Sequence, residues 1–230
     1  MKKSFILLII FTILSTLFTG CKKDKGDPPL LPPAESMTID FSNFDVAKKG
    51  DGSLSDAKGT GTSNWEFSAG VALWWKTIIY TTLAVPVYSF QVTADQKPVY
   101  IDDNTWQWSA DATLLSVTYK ARLTGQNNGS SVVWKMYITR EGTGGYTDFL
   151  WFEGTSSADG TNGTWKLYES SQNPVEIITI DWNTSGDNIG MIKYTYTKTG
   201  NPATGSYIEY GLTDNTLDAY YEIHYYNSAY

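Results

Sequence analysis

From Thr105 to Tyr226 the chain alternates apolar and polar residues with a period of two, and Gly, Asn, Asp or Pro interrupt the alternation about every 10 to 15 residues. Period two is the signature of a strand with one buried and one wet face, and gaps this short leave no room for helical crossovers. The strands must therefore pair antiparallel, each with the next. Leu115, Val117, Tyr119, Ala121 and Leu123 form one apolar stripe, and Val132, Trp134, Met136 and Ile138 form another. Between them, Gln126-Asn127-Asn128-Gly129 supplies the positive φ of a tight hairpin. Further strands are expected around Tyr146 to Glu153, Thr164 to Tyr168, Val175 to Trp182, Met191 to Thr197, Ser206 to Tyr210 and Ala219 to Tyr226. Nine Trp, 16 Tyr and 9 Phe suit such a pleated, half-buried surface.

Upstream the pattern changes. Trp65, Ala69, Ala72, Trp75, Ile79 and Leu83 recur at three or four residues, which lines up one face of a helix behind Asn64 as N-cap. Pro86 fits the first turn of a second short helix carrying Tyr88, Phe90 and Val92. The density of Ile, Thr, Val and Tyr also fits a pair of strands, and Phe67 to Phe90 a membrane span, although Lys76, the threonines and Pro86 would then sit near mid-bilayer. The expected class is α+β, mainly β: an antiparallel meander of about nine strands forming a curved sheet or barrel around one or two hydrophobic helices.

The N-terminus carries an address. Lys2 and Lys3 precede an apolar run from Phe5 to Phe18, with Thr19 and Gly20 before the single cysteine, which is the layout of a secretory signal. Leu17-Phe18-Thr19-Gly20-Cys21 resembles the lipobox of bacterial lipoproteins, with Phe18 where that family usually has an aliphatic residue. The resemblance implies cleavage before Cys21, acylation of that residue with palmitate-type chains, and export to the outer membrane on its periplasmic or cell-surface face. Several acyl chains would anchor the protein stably, where one would hold it only marginally. A lone cysteine makes no internal disulfide, so the domain must be held by its core alone.

The expected organisation is a signal peptide at 1–20, a Pro-rich tether at 21–36, an N-terminal strand (Thr38 to Phe44) and loop at 37–63, core helices at 64–96 and the meander at 97–230, with 64–230 one domain. Losing Lys2 and Lys3 leaves 15 Lys+Arg against 24 Asp+Glu, a charge of minus 9. That balance argues against nucleic acid and against a polybasic lipid-binding patch.

Chemistry-bearing constellations are sparse. His224 is the only histidine and shares a strand face with Tyr220, Glu222 and Tyr226. No GxSxG turn or free thiol accompanies it, so no catalytic residues are assigned and the chain reads as non-enzymatic. One His and one committed Cys do not make a zinc site, and Asp102-Asp103-Asn104 and Asp214-Asn215 lack EF-hand spacing. No metal and no cofactor is expected. Among Asp148, Glu153, Glu176, Asp181, Glu209 and Glu222, the phase of Asp148 and Asp181 suggests an inward carboxylate, as a glycosidase pair would need. Trp106, Trp108, Trp134, Trp151, Trp165 and Trp182 fall on neighbouring strands, where they line a cavity for an apolar ligand, stack on sugars if they face outward, or build the core.

Trp106-Gln-Trp108, Asp148-Phe-Leu-Trp151, Gly163-Thr-Trp165-Lys-Leu-Tyr168 and Asp218-Ala-Tyr-Tyr221 resemble phrases of a group of uncharacterised β-rich bacterial lipoproteins, over residues 64 to 226. No activity comes with that likeness. More coarsely, a curved sheet around helices is similar to periplasmic carriers of acyl chains, an analogy of fold only. The leading functional expectation is a membrane-anchored lipoprotein, attached through Cys21, that binds a hydrophobic or amphiphilic small molecule inside the sheet. A surface glycan-binding or assembly module is the alternative, and a carboxylate-dependent hydrolase a third. Whether the sheet interior is empty or is filled by Trp75, Ile79 and Leu83 separates the first two.

Overall fold

The structure, a computed structural model, describes residues 25–39, 62–213 and 219–226. The signal segment, Cys21, the expected strand beyond Ile39, the Gly/Ser-rich loop, the side chains of Trp65 and Ala69, and Asp214-Asn215 lie outside the described residues.

Ten strands form one antiparallel sheet in strict chain order: β1 (Val99–Tyr100), β2 (Thr105–Leu114), β3 (Val117–Asn127), β4 (Ser131–Arg140), β5 (Tyr146–Ser157), β6 (Asn162–Tyr168), β7 (Glu176–Ser185), β8 (Asn188–Tyr196), β9 (Tyr207–Leu212) and β10 (Ala219–His224). The protein is therefore mainly β, as expected. The meander has ten strands rather than nine, because the two-residue β1 is too short to show a period. The sheet curves without closing, since β1 and β10 are not paired.

Register explains the core. One row across the sheet reads Trp106, Gly125, Trp134, Gly154, Trp165, Ile180, Tyr194, Ile208 and Ile223; the next reads Trp108, Leu123, Met136, Phe152, Leu167, Ile178 and Tyr196. Both rows face inward, and most of their members are buried. Two of the large rings in the first row, Trp134 and Trp165, lie over a glycine of the strand before them. A methyl group on Gly125 would sit 2.4 Å from Trp134, and one on Gly154 would sit 2.5 Å from Trp165. Glycine is needed there because the indole occupies the space of its missing side chain.

The concave face is covered by one helix, α1 (Thr62–Ala94). Ala72, Trp75, Ile79, Leu83 and Phe90 are buried at the expected spacing, and Phe90 meets Phe152 and Trp165 edge-on at 6.2 and 5.8 Å. The expected break at Pro86 does not occur, and one helix of 33 residues replaces two. A mid-helix proline costs roughly 3 kcal/mol. Leu83 and Phe90, on either side of it, are buried in the same core, which outweighs that cost and keeps the axis continuous. Gly70–Ala94 is long and apolar enough to span a membrane by composition, and a third of it is buried.

Residues 25–39 do not stand off the domain as an extended tether. Pro29, Pro32, Ser36 and Met37 are buried, Ala34–Met37 forms a 3-10 turn, and the Trp165 Nε1–H donates to Ser36 Oγ at 3.1 Å. Proline stiffness suggested a spacer, but the same stiffness lets the segment pack at little entropic cost.

Candidate functional site

The six tryptophans do not line a chamber. Trp108, Trp134, Trp165 and Trp182 are buried in one continuous core with Trp75, Ile79, Leu83 and Phe90. Trp134 Nε1 donates to Ser156 Oγ at 2.9 Å. Trp106 packs against Tyr100 at the edge of the sheet with centroids 5.4 Å apart, and Trp151 is half-buried midway along β5. Among the described residues, the inward-facing side chains that would surround a carried ligand pack against one another and against the helix.

Neither Asp148 nor Asp181 faces inward, correcting the reading from phase. Asp181 is on the outer face beside Lys193 and accepts a hydrogen bond from Thr164 Oγ1 at 2.7 Å. Asp148 is displaced outward by irregular pairing between β4 and β5. On β5, Thr147 and Asp148 together oppose Thr139, and Trp151 is an extra residue between the partners of Tyr137 and Met136. These two bulges break the alternation on which the inward assignment rested. Asp181 lies in the row of Val133, six residues along β4 from Thr139, or about 20 Å. A glycosidase pair needs roughly 5 to 9.5 Å, so the two carboxylates cannot act together.

The bulges nevertheless build a site at the rim of the sheet. Asp148 is held at φ 46°, a left-handed conformation that costs a non-glycine residue of order 1 kcal/mol or more. Its N–H donates to Thr139 Oγ1 at 2.9 Å, and its carboxylate accepts from Arg122 Nη2 at 3.2 Å. Arg122 lies in turn over the Tyr137 ring, 4.2 Å from the centroid. On one side of Asp148 is a groove of about 670 Å³ walled by Tyr146, Phe149 and Tyr168, with Ser171 and Gln172 at its polar margin. On the other side a depression of about 500 Å³ runs past Arg122 and Lys120.

Beside the larger groove, buried donors lack partners. Tyr146 OH, Trp151 Nε1 and Arg140 Nε have none among the described residues. Tyr146 and Trp151 stack edge-on at 6.0 Å, and Arg140 is the cross-strand partner of Tyr146. Other buried atoms share this state, including Trp75 Nε1, Trp182 Nε1 and Tyr194 OH, and Tyr146 and Trp151 pack against the same core; Tyr146 differs from them in also lining the groove. Of the three residues only Tyr146 lines the groove, with Trp151 and Arg140 behind it, and an unpaired buried donor costs roughly 1–3 kcal/mol. Burial raises the Tyr146 phenol to about 12, reinforced by nearby Tyr119 and opposed by Arg140. Burial likewise raises Tyr168 to about 12, helped by the hydrogen bond its OH donates to Glu153 Oε1 at 2.6 Å.

Sequence reading singled out Asp148 and Trp151 but missed Arg122, Arg140, Tyr146 and Tyr168. One signal was available: Phe149-Leu150-Trp151-Phe152 is an apolar run that no one-sided strand can hold without a bulge. On the opposite stretch of the outer face His224 stacks on Tyr207 at 5.3 Å, with Glu222, Glu209 and Lys193 around them. Among the described residues, no three His, Cys, Asp or Glu side chains gather as metal ligands. Comparison with protein-family models, with curated proteins and with solved structures finds no match.

Proposed function

We propose that the chain is an exported lipoprotein, acylated at Cys21 and anchored to the outer membrane, which recognises glycans through the groove beside Asp148 and does no chemistry on them. The observation that carries this reading is an open groove lined by Tyr146, Tyr168 and Asp148, with the unpartnered buried hydroxyl of Tyr146 in its wall. The half-buried aromatic rings of Tyr146 and Tyr168 in the groove lining suit the C–H faces of a sugar, and Asp148, Ser171 and Gln172 suit its vicinal hydroxyls. The mature charge of minus 9 favours a neutral glycan over a polyanion.

A glycan array probed with the mature protein, followed by calorimetric titration of the best ligand, tests it. Saturable binding that falls at least about tenfold in Asp148→Asn and in Tyr168→Ala, roughly the 1.4 kcal/mol of one good hydrogen bond, is the expected result. A folded protein that binds no glycan, or one whose affinity both variants leave unchanged, overturns it.

A second reading has its own observation. Between α1 and residues 37–39 lies an apolar groove of about 320 Å³ lined by Met37, Ile39, Ile79, Leu83, Val87 and Tyr88. An amphiphile displaced from the filled interior would bind there. An apolar fluorescent probe that binds saturably to the wild type but not to Ala84→Trp, which fills the groove, supports it; equal binding by both removes it.

A further inference from the structure

In a meander, successive turns alternate between the two ends of the sheet. The β1–β2, β3–β4, β5–β6 and β7–β8 turns lie at one end, and the glycan groove lies at the other, beside the β4–β5 and β6–β7 turns. The N-terminal segment enters at the first end. Lys25 Nζ is 5.4 Å from the Tyr100 ring centroid, and Leu30 and Leu31 pass Gly160 in the β5–β6 turn.

We propose that this end, with the edge strand β1 at its margin, is the face that seats on a zwitterionic phospholipid bilayer, with Val99, Ile101 and Leu30 entering its interface. The inference rests on the acylation of Cys21 proposed above. Three residues lie between Cys21 and Lys25, and four steps of at most ~3.6 Å make about 14 Å of chain. Lys25 to Pro28 are exposed and the chain is first buried at Pro29, eight steps from Cys21, so even with those residues released the reach is at most about 29 Å. With Lys25 over Tyr100, this end of the sheet is the one nearest the lipid. Apolar side chains are exposed at this end: Val99 and Ile101 flank Tyr100 at 65% and 47% exposure, and Leu30, by the β5–β6 turn, is 62% exposed. Its charges are mixed, with Lys25 and Lys97 exposed beside Asp27, Asp102 and Asp103. Such a face gains nothing from anionic lipid, which attracts clustered Lys and Arg, so the neutral headgroup is the partner it fits. The glycan groove then points away from the membrane.

The test uses the acylated full chain in phosphatidylcholine vesicles, with an environment-sensitive fluorophore on Val99→Cys or on Leu115→Cys. Leu115 is 91% exposed at the opposite end of β2, about 30 Å away. Both sites are exposed, so unchanged tryptophan emission confirms that the labelled proteins are folded. Bilayer-embedded quencher lipids are expected to quench the Val99 label several-fold more than the Leu115 label. Equal quenching, or stronger quenching at Leu115, overturns the orientation. The mass of the mature N-terminus decides the anchor separately: an unmodified Cys21 defeats the lipoprotein reading itself, whatever the labels report.

Discussion

At the scale of single residues, the site is recognisable by the rules it breaks. Tyr146→Phe deletes a buried hydroxyl that has no partner among the described residues, so it should raise the stability of the free protein by about 1 kcal/mol while weakening glycan binding. Urea denaturation with and without ligand checks both halves. Alkaline pH gives a signed test. Tyr146 and Tyr168 titrate near 12 in the fold against 10 in the unfolded chain, so the folded state holds their protons longer. Their contribution is full below pH 10 and is lost as pH rises toward 12. Stability should fall across that window, and the Tyr146→Phe, Tyr168→Phe double variant should fall less steeply. Leu115 teaches a related lesson. Alternation places it in a strand, yet it sits in the β2–β3 turn with φ 49°, followed by Ser116 at 64°. Two left-handed residues are what Asn-Gly provides without strain. Leu115→Asn with Ser116→Gly should raise the melting temperature, by about 1–2 kcal/mol of stability; calorimetry measures it. Neither Leu115 nor Asp148 was legible as a turn or bulge, because period-two reasoning sees polarity and not backbone handedness.

Elements were more legible than their boundaries. The meander followed from the sequence because a strand's faces, spacing and turn residues are all local, and the Asn128-Gly129 turn carries its positive φ at Gly129 as read. The helix was legible as a buried face, with Trp75, Ile79 and Leu83 where the spacing put them, but not as one piece, because local proline chemistry gives no view of the sheet that holds both halves. The pairing of Trp134 with Gly125, and of Trp165 with Gly154, was hidden for the same reason: register is a property of two strands. It has a direct consequence. Gly125→Ala drives a methyl group into the Trp134 ring and should cost about 1–3 kcal/mol, whereas Gly129→Ala meets no neighbour within 4 Å and pays only for its φ of 84°. Comparing the two melting curves separates overpacking from backbone strain.

For the whole molecule, the helix decides what the fold can do. A curved, unclosed sheet offers a concave face, and a carrier would leave that face open. Here α1 and the indole rows pack into it, which is why the recognition we propose is placed at the rim, where the bulged β5 leaves the regular lattice. The proposed anchor and the groove then fall at opposite ends of the strands, an arrangement that would present the proposed binding site away from a membrane. The most direct measurement is an NMR titration of the nine indole N–H signals of the ¹⁵N-labelled mature protein with the bound glycan, the Trp151 signal being assigned by its loss in Trp151→Phe. The account predicts that the Trp151 signal moves downfield as its donor gains a partner, while the indoles of Trp108, Trp134, Trp165 and Trp182 stay in place. A Trp151 signal that is unmoved at saturation, or core indoles that shift instead, would contradict it.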